Sequence, residues 1–130
     1  MNSSTSNAFF GLAGRFLLSA IFVQSGWGKI GRYASTQAYM EKMGVPGSLL
    51  PLVIATELGL GLLIVIGWQT RIAAFLIAGF TLLAGILFHY EPGNSGQMIQ
   101  FMKNIAIAGG FLMLVANGPG PWSIDGRSRV

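Results

Sequence analysis

The sequence predicts an all-α integral membrane protein: a four-helix bundle with a short interfacial helix between spans one and two. Three observations carry that prediction. Only 9% of the 130 residues are charged, whereas a soluble domain carries about 25%. Hydrophobic residues make up 52% of the chain, and the mean hydropathy is +0.61. The apolar residues gather in four blocks of roughly 17–23 positions, close to the ~20 that carry a helix across hydrocarbon. One four-span domain over residues 1–130 is expected.

The first block follows a polar leader, Met1 to Asn7, that has no basic side chain. No A-x-A cleavage pattern comes after it, so span one, about 8–30, reads as a retained helix and not a secretory signal. Tyr33 to Gly47 places Tyr39, Met40 and Met43 beside Gln37, Glu41 and Lys42. This stretch reads as an interfacial helix stopped by Gly44-Val45-Pro46-Gly47. Span two covers about 48–67 and span three about 71–88. The link Trp68-Gln69-Thr70 is so short that these two helices should form an antiparallel hairpin and pack together. Tyr90 to Gln97 is a polar, turn-rich loop, span four covers about 98–117, and the tail after Gly118-Pro119-Gly120-Pro121 reads as irregular.

Four spans return both termini to one side. Charge does not say which side: Arg15, Arg71, Arg127 and Arg129 fall on the terminal side, and Lys29, Arg32, Lys42 and Lys103 on the other. Small residues recur four apart at Ala55 and Gly59, Ala74 and Ala78, and Ala106 and Gly110. Such pairs serve close packing inside the bundle or a homo-oligomer face, and the sequence leaves the oligomeric state open.

Several chemistries are excluded. With no cysteine, the chain holds no disulfide framework, thiol relay, iron–sulfur cluster or Cys-type zinc site. A single histidine leaves no basis for a metal site, and two-histidine haem ligation would need a second subunit. The net charge of +4 is scattered without a patch that could track phosphates, so no nucleic acid is expected. Arg32, Lys42, Arg127 and Arg129 read as span-flanking bases meeting anionic headgroups. No nucleophile elbow or phosphate-cradling loop occurs.

Chemistry is therefore sought where charge enters the spans, at a cost of at least ~2.5–3.5 kcal/mol per group. Arg15, Ser19, Phe22, Gly26 and Lys29 share one stripe of span one, its two charges about 21 Å apart along the axis. Glu57 lies at the middle of span two. Its estimated depth differs from that of Arg15 by only about 5–6 Å, so a Glu57–Arg15 pair is one expectation. A proton or ligand role is the other. His89, Lys103 and Asn104 fall on the membrane side of Lys29 and could converge with it at one mouth. His89 alternatively reads as an interfacial imidazole and Lys103 as a snorkelling base. Trp27, Phe88 and Phe101 lie near that mouth, as ring-stacking partners or as an aromatic belt.

These positions resemble the DoxX family. The likeness is carried by Gly14-Arg15, Ser25 through Ile30, Met43-Gly44-Val45-Pro46, Glu57 through Gly61, Thr70-Arg71, Phe88-His89, Phe101 through Asn104, and Gly118-Pro119-Gly120 with Ser123-Ile124-Asp125. It is nearest the family's YqjF-like bacterial inner-membrane branch. The resemblance implies a multi-pass protein of the bacterial cytoplasmic membrane with cytoplasmic termini, and association with quinone-linked or detoxifying redox systems. Arg15, Lys29, Glu57, His89, Lys103 and Asn104 match its polar core. The leading expectation is a component that binds a quinone or similar lipophile, serving a membrane oxidoreductase with a soluble redox partner. A proton- or solute-permeation subunit, or a scaffold for soluble enzymes, is the alternative.

Overall fold

A computed structural model describes residues 2–127; Arg129, expected among the flanking bases, lies outside them. Among the described residues there is no strand. Four helices are long and apolar enough to cross a membrane, which makes the architecture an all-α membrane bundle.

The first helix, α1, is Ser3–Gly31. It begins before the apolar block because the Asn2 side chain accepts from Thr5 N at 2.8 Å, occupying one of the orphan donors of the first turn. The interfacial helix α2 is Tyr33–Lys42. Gly44, at φ 82°, turns the chain after it, and Gln37 Nε2 donates to Gly47 O at 3.1 Å, fixing α2 against the next span.

That span, α3, is Gly47–Ile66, and it is not uniform. A 3₁₀ turn at Gly47–Leu49 leads into α-helix, residues Ala55–Leu60 widen into a π-turn, and α-helix resumes at Gly61. Thr56 Oγ1 donates to Leu52 O at 2.8 Å there, the kind of side-chain satisfaction that irregular backbone needs in lipid. Gly67, left-handed at φ 74°, ends the span, with Gly67 N and Trp68 N both donating to Leu63 O.

The last two spans are α4, Thr70–His89, and α5, Ser95–Asn117. A final turn, α6, is Ile124–Arg127. The core is built from Phe22 of α1, Ile64 of α3, Ala73, Ala74, Ile77 and Ala78 of α4, and Ala108 and Phe111 of α5. Large side chains such as Leu17, Ile72, Phe75 and Met113 point outward, as suits a bundle whose solvent is lipid.

The structure refines one expectation here and corrects another. The short α3–α4 link does join antiparallel helices that touch, but α3 packs chiefly on α1, and α4 on α5. Alanines explain the second preference, since the Ala73, Ala74 and Ala78 side of α4 lets a neighbour approach closely. The Ala55–Gly59 pair, by contrast, faces outward. Nor is the tail irregular in effect. It turns back beneath the bundle, where Asp125 N donates to Gly67 O at 2.8 Å.

Candidate functional site

The stripe on α1 is the frame of the site. Arg15, Ser19, Phe22 and Gly26 are all buried. Lys29, the last of the stripe, keeps 24% of its side chain exposed. Its register against α3 is set by glycines. A methyl added to Gly26 would lie 2.9 Å from Leu58 N, and one added to Gly61 would lie 3.0 Å from a Val23 methyl. Gly26 therefore stands level with Leu58, and Glu57 points toward the Lys29 end.

That register overturns the Arg15–Glu57 pairing. Arg15 lies eleven residues from Gly26, about 16 Å along the helix, beyond reach of Glu57. The partner of Glu57 is Lys29: Nζ stands 2.7 Å from Oε1, and it also donates to Ser25 Oγ at 2.6 Å. No donor other than Lys29 bonds the carboxylate among the described residues. Glu57 sits within the π-turn, a local geometry that recurs at functional sites because it re-aims side chains that a regular helix would present elsewhere.

Arg15 instead closes the other end of the bundle. Its Nη1 donates to Pro119 O at 2.9 Å, and Nη2 to Trp122 O at 3.0 Å and Val65 O at 3.3 Å. Val65 O belongs to the last turn of α3, whose carbonyls lack helical partners and carry the negative end of the helix dipole. Asp125, from the returning tail, accepts from Gln69 N and Thr70 N at 3.0 and 2.8 Å and so caps α4 from a distance in sequence. Gly67 and Ser123 pack close to the guanidinium, a Cβ added to Gly67 lying 3.0 Å from Nη1.

At the Lys29 end there is room. A partly open cavity of about 310 Å³ is framed by Ser25 and Lys29 of α1, Tyr39 and Met40 of α2, and Glu57 of α3. Phe80, Thr81, Phe88 and His89 of α4 and Gln100 and Asn104 of α5 complete it. Tyr39 stacks on Phe88 with centroids 5.7 Å apart and planes at 23°. Asn104 Nδ2 donates to Thr81 O at 3.1 Å. His89 Nδ1 lies 2.9 Å from Gln97 Oε1; with that nitrogen donating to the amide oxygen, Nε2 is left for a ligand.

The structure thus brings together Lys29, Glu57, His89 and Asn104, and it separates Arg15 and Lys103 from them. Lys103 is exposed on α5 beside the cavity-lining face. Trp27, 70% exposed, faces away from the bundle. Phe101 packs edge-on against Tyr90. Sequence reasoning missed Thr36, Tyr39, Met40, Thr81 and Gln100, all at the cavity wall. Tyr39 and Met40 had a signal, being apolar residues on an otherwise polar interfacial helix; Thr81 and Gln100 had none beyond their helical spacing from Phe88 and Asn104. No group of three or more metal-ligating side chains occurs among the described residues.

Fold and site together define an all-α membrane protein with four candidate spans, an ion pair held inside the bundle and an apolar-walled cavity beside it. The DoxX family profile matches residues 10–90, and the chain belongs to the DoxX family. It is 53% identical over 114 residues to the inner membrane protein YqjF of Escherichia coli K12, covering 88% of each chain. To the inner membrane protein YphA of the same bacterium it is 36% identical over 123 residues, covering 89% of this chain and 88% of the relative. It is also similar to a Surfeit locus protein 4 homolog of Drosophila melanogaster, at 25% identity over 137 residues and 44% of that protein's length. No solved structure matches the chain. The family stretch contains Arg15, Lys29, Glu57 and His89, whereas Lys103 and Asn104 lie beyond it.

Proposed function

We propose that this chain is a bacterial inner-membrane protein, a single four-span domain, that binds a quinone or a similar lipophile as a component of a redox or detoxification system. The observation that carries the reading is the Lys29–Glu57 pair facing a cavity of about 310 Å³. An ion pair in a bundle core fixes structure whether or not space adjoins it. One that lines a cavity walled by Phe80, Phe88 and Tyr39 also offers a cation to a ligand's oxygen while the carboxylate balances the charge.

The chemistry matches a ring bearing oxygens at opposite ends. Lys29 Nζ supplies a donor for a carbonyl oxygen of a quinone, and His89 Nε2 supplies an acceptor for a hydroxyl of the reduced quinol, with Phe80, Phe88 and Tyr39 lining the same cavity. The names of the two bacterial relatives support the inner membrane as the location, and the family resemblance supports cytoplasmic termini and a soluble redox partner. Binding is favoured over permeation because Phe22, Ile64, Ile77 and Phe111 form an apolar layer between the cavity and the Arg15 end. Purified protein in lipid nanodiscs, titrated with decylubiquinone and a short-chain menaquinone, should bind at least one of them with Kd at or below about 10 μM. Glu57→Gln should weaken that binding about tenfold, or about 1.4 kcal/mol, and His89→Ala should weaken binding of the reduced quinol by a similar factor. Equal, weak binding by wild type and variants would remove the reading.

A further inference from the structure

The cavity is sealed on three sides. Between α1 and α3, the Gly26–Leu58 approach and the Lys29–Glu57 pair close the seam. α4 and α5 pack extensively and are pinned by Asn104 on Thr81 O and His89 on Gln97. Tyr39 stacked on Phe88 closes α2 onto α4. α3 and α4 also pack along their shared length, and of the four seams between neighbouring spans α1 against α5 is the one where the helices meet most sparsely; there Leu18 packs over Gly110, its Cδ2 2.8 Å from where a Gly110 Cβ would stand.

From that contact the two antiparallel helices run toward the cavity in register. Three residues along each come Ile21 and Ile107, and four further along come Ser25 and Lys103. Ile21, Ser25 and Ile107 all line the cavity, yet Ile21 is 53% exposed. The cavity wall and the bundle's outer surface therefore meet along this seam. Gln100, Lys103 and Ile107 lie within about 60° of one another on a helix turning 100° per residue. Lys103 is thus the outer edge of a face whose inner edge lines the cavity, and it is an exposed cation for which no partner is recorded among the described residues.

Size matters next. At about 310 Å³ the cavity is near the lower bound of ligand pockets, roughly 300–1,000 Å³, enough for a ring-sized head and not for a long tail as well. A tailed molecule held here must leave its tail outside, and at Ile21 on the α1–α5 seam the cavity wall reaches the bundle's exposed apolar surface.

We infer that the cavity is loaded sideways from the bilayer through the α1–α5 seam by a tailed amphiphile. Its oxygen-bearing head passes Lys103 at the threshold and comes to rest against Lys29, while its tail stays in lipid. This rests on the lipophile-binding reading above, and it adds the route, the class of ligand and a role for Lys103.

The chain has no native cysteine, so an Ile21→Cys, Ile107→Cys double variant can be bridged across the seam by a short, reducible thiol cross-linker. In nanodiscs with decylubiquinone as probe, association and release should each slow at least tenfold on bridging and recover on reduction. A decyl-benzoquinone carrying a diazirine on its tail should label wild-type protein along the facing edges of α1 and α5, around Leu17 to Ile21 and Ala106 to Gly110. Lys103→Met should slow association about fivefold with no change in thermal stability, as expected for loss of a charged hydrogen-bond donor that the oxygens of the neutral head meet at the threshold. Unchanged rates after complete bridging, or labelling confined to α2 and α3, would overturn the side route while leaving binding intact. Unchanged association by Lys103→Met would remove the threshold role. No binding by unmodified wild type would overturn the route together with the reading it rests on.

Discussion

The two ends of the bundle each bury a cation from the same stripe of α1, and they treat it in opposite ways. Arg15 is 2% exposed and gives its donors to three backbone carbonyls, two of them from the returning tail. Lys29, held by one serine and one carboxylate, stands beside empty volume. The distinction is what holds the charge: backbone carbonyls of a folded-back tail, with Asp125 as a more distant counter-charge, make a lock, whereas a directly paired side-chain counter-ion lining the bundle's cavity makes a site.

The sharpest way to break that contrast is at Arg15. Arg15→Ala leaves the carbonyls of Val65, Pro119 and Trp122 without their donor and should lower stability by about 3–5 kcal/mol, at about 1–3 kcal/mol for each buried acceptor left unsatisfied. Unfolding of detergent-solubilised protein by heat or SDS would measure it. Material that stays folded should bind quinone analogues within about threefold of wild type. A binding defect without a stability defect would reverse the assignment of the two ends.

Next in size is Gly26→Ala. The added methyl meets Leu58 backbone at 2.9 Å, contact that no side-chain rotation relieves, so α1 and α3 must part at a cost of about 1–3 kcal/mol. Because this glycine sets the level at which Lys29 meets Glu57, stability and ligand affinity should fall together. Glu57→Gln is expected to separate them, with affinity reduced about tenfold and the unfolding temperature lowered by less than in Gly26→Ala. A loss of stability as large as that of Arg15→Ala would make the Lys29–Glu57 pair a second lock.

Much of this was legible in the sequence, and the reasons for what was not are physical. The buried face of α1 follows from helical period alone: Arg15, Ser19, Phe22 and Gly26 are four of its five buried residues. Which charge pairs with Glu57 did not follow, because span limits judged from hydropathy placed Arg15 by depth, whereas register is fixed by the Gly26–Leu58 approach and α1 begins at Ser3. The π-turn around Glu57 has no sequence signature to read. The ordered tail was hidden by Gly118-Pro119-Gly120-Pro121, residues that mark a turn without saying where the chain goes next. Ser123-Ile124-Asp125 carried the missing information, since an acidic residue just beyond such a turn is suited to cap a helix start elsewhere.

The smallest effect is expected at that cap. Asp125 accepts from Gln69 N and Thr70 N at the start of α4, where no local side chain caps the helix and Gln69 is held at φ 51°. Removing the acceptor in Asp125→Ala should cost about 1 kcal/mol, within the 0.5–2 range for lost N-caps. Asp125→Asn keeps one oxygen for Thr70 N and loses the charge, which acts on the positive end of the helix, worth about 0.3–1 kcal/mol, and on the Arg15 guanidinium. The asparagine variant should therefore recover roughly half of the loss, read as unfolding temperature in the same detergent. Both variants should leave quinone affinity unchanged, because the apolar layer around Ile64 and Phe111 stands between this cap and the cavity. Should either one alter affinity, the two ends would be coupled through that layer, and the lock would have to be counted as part of the site.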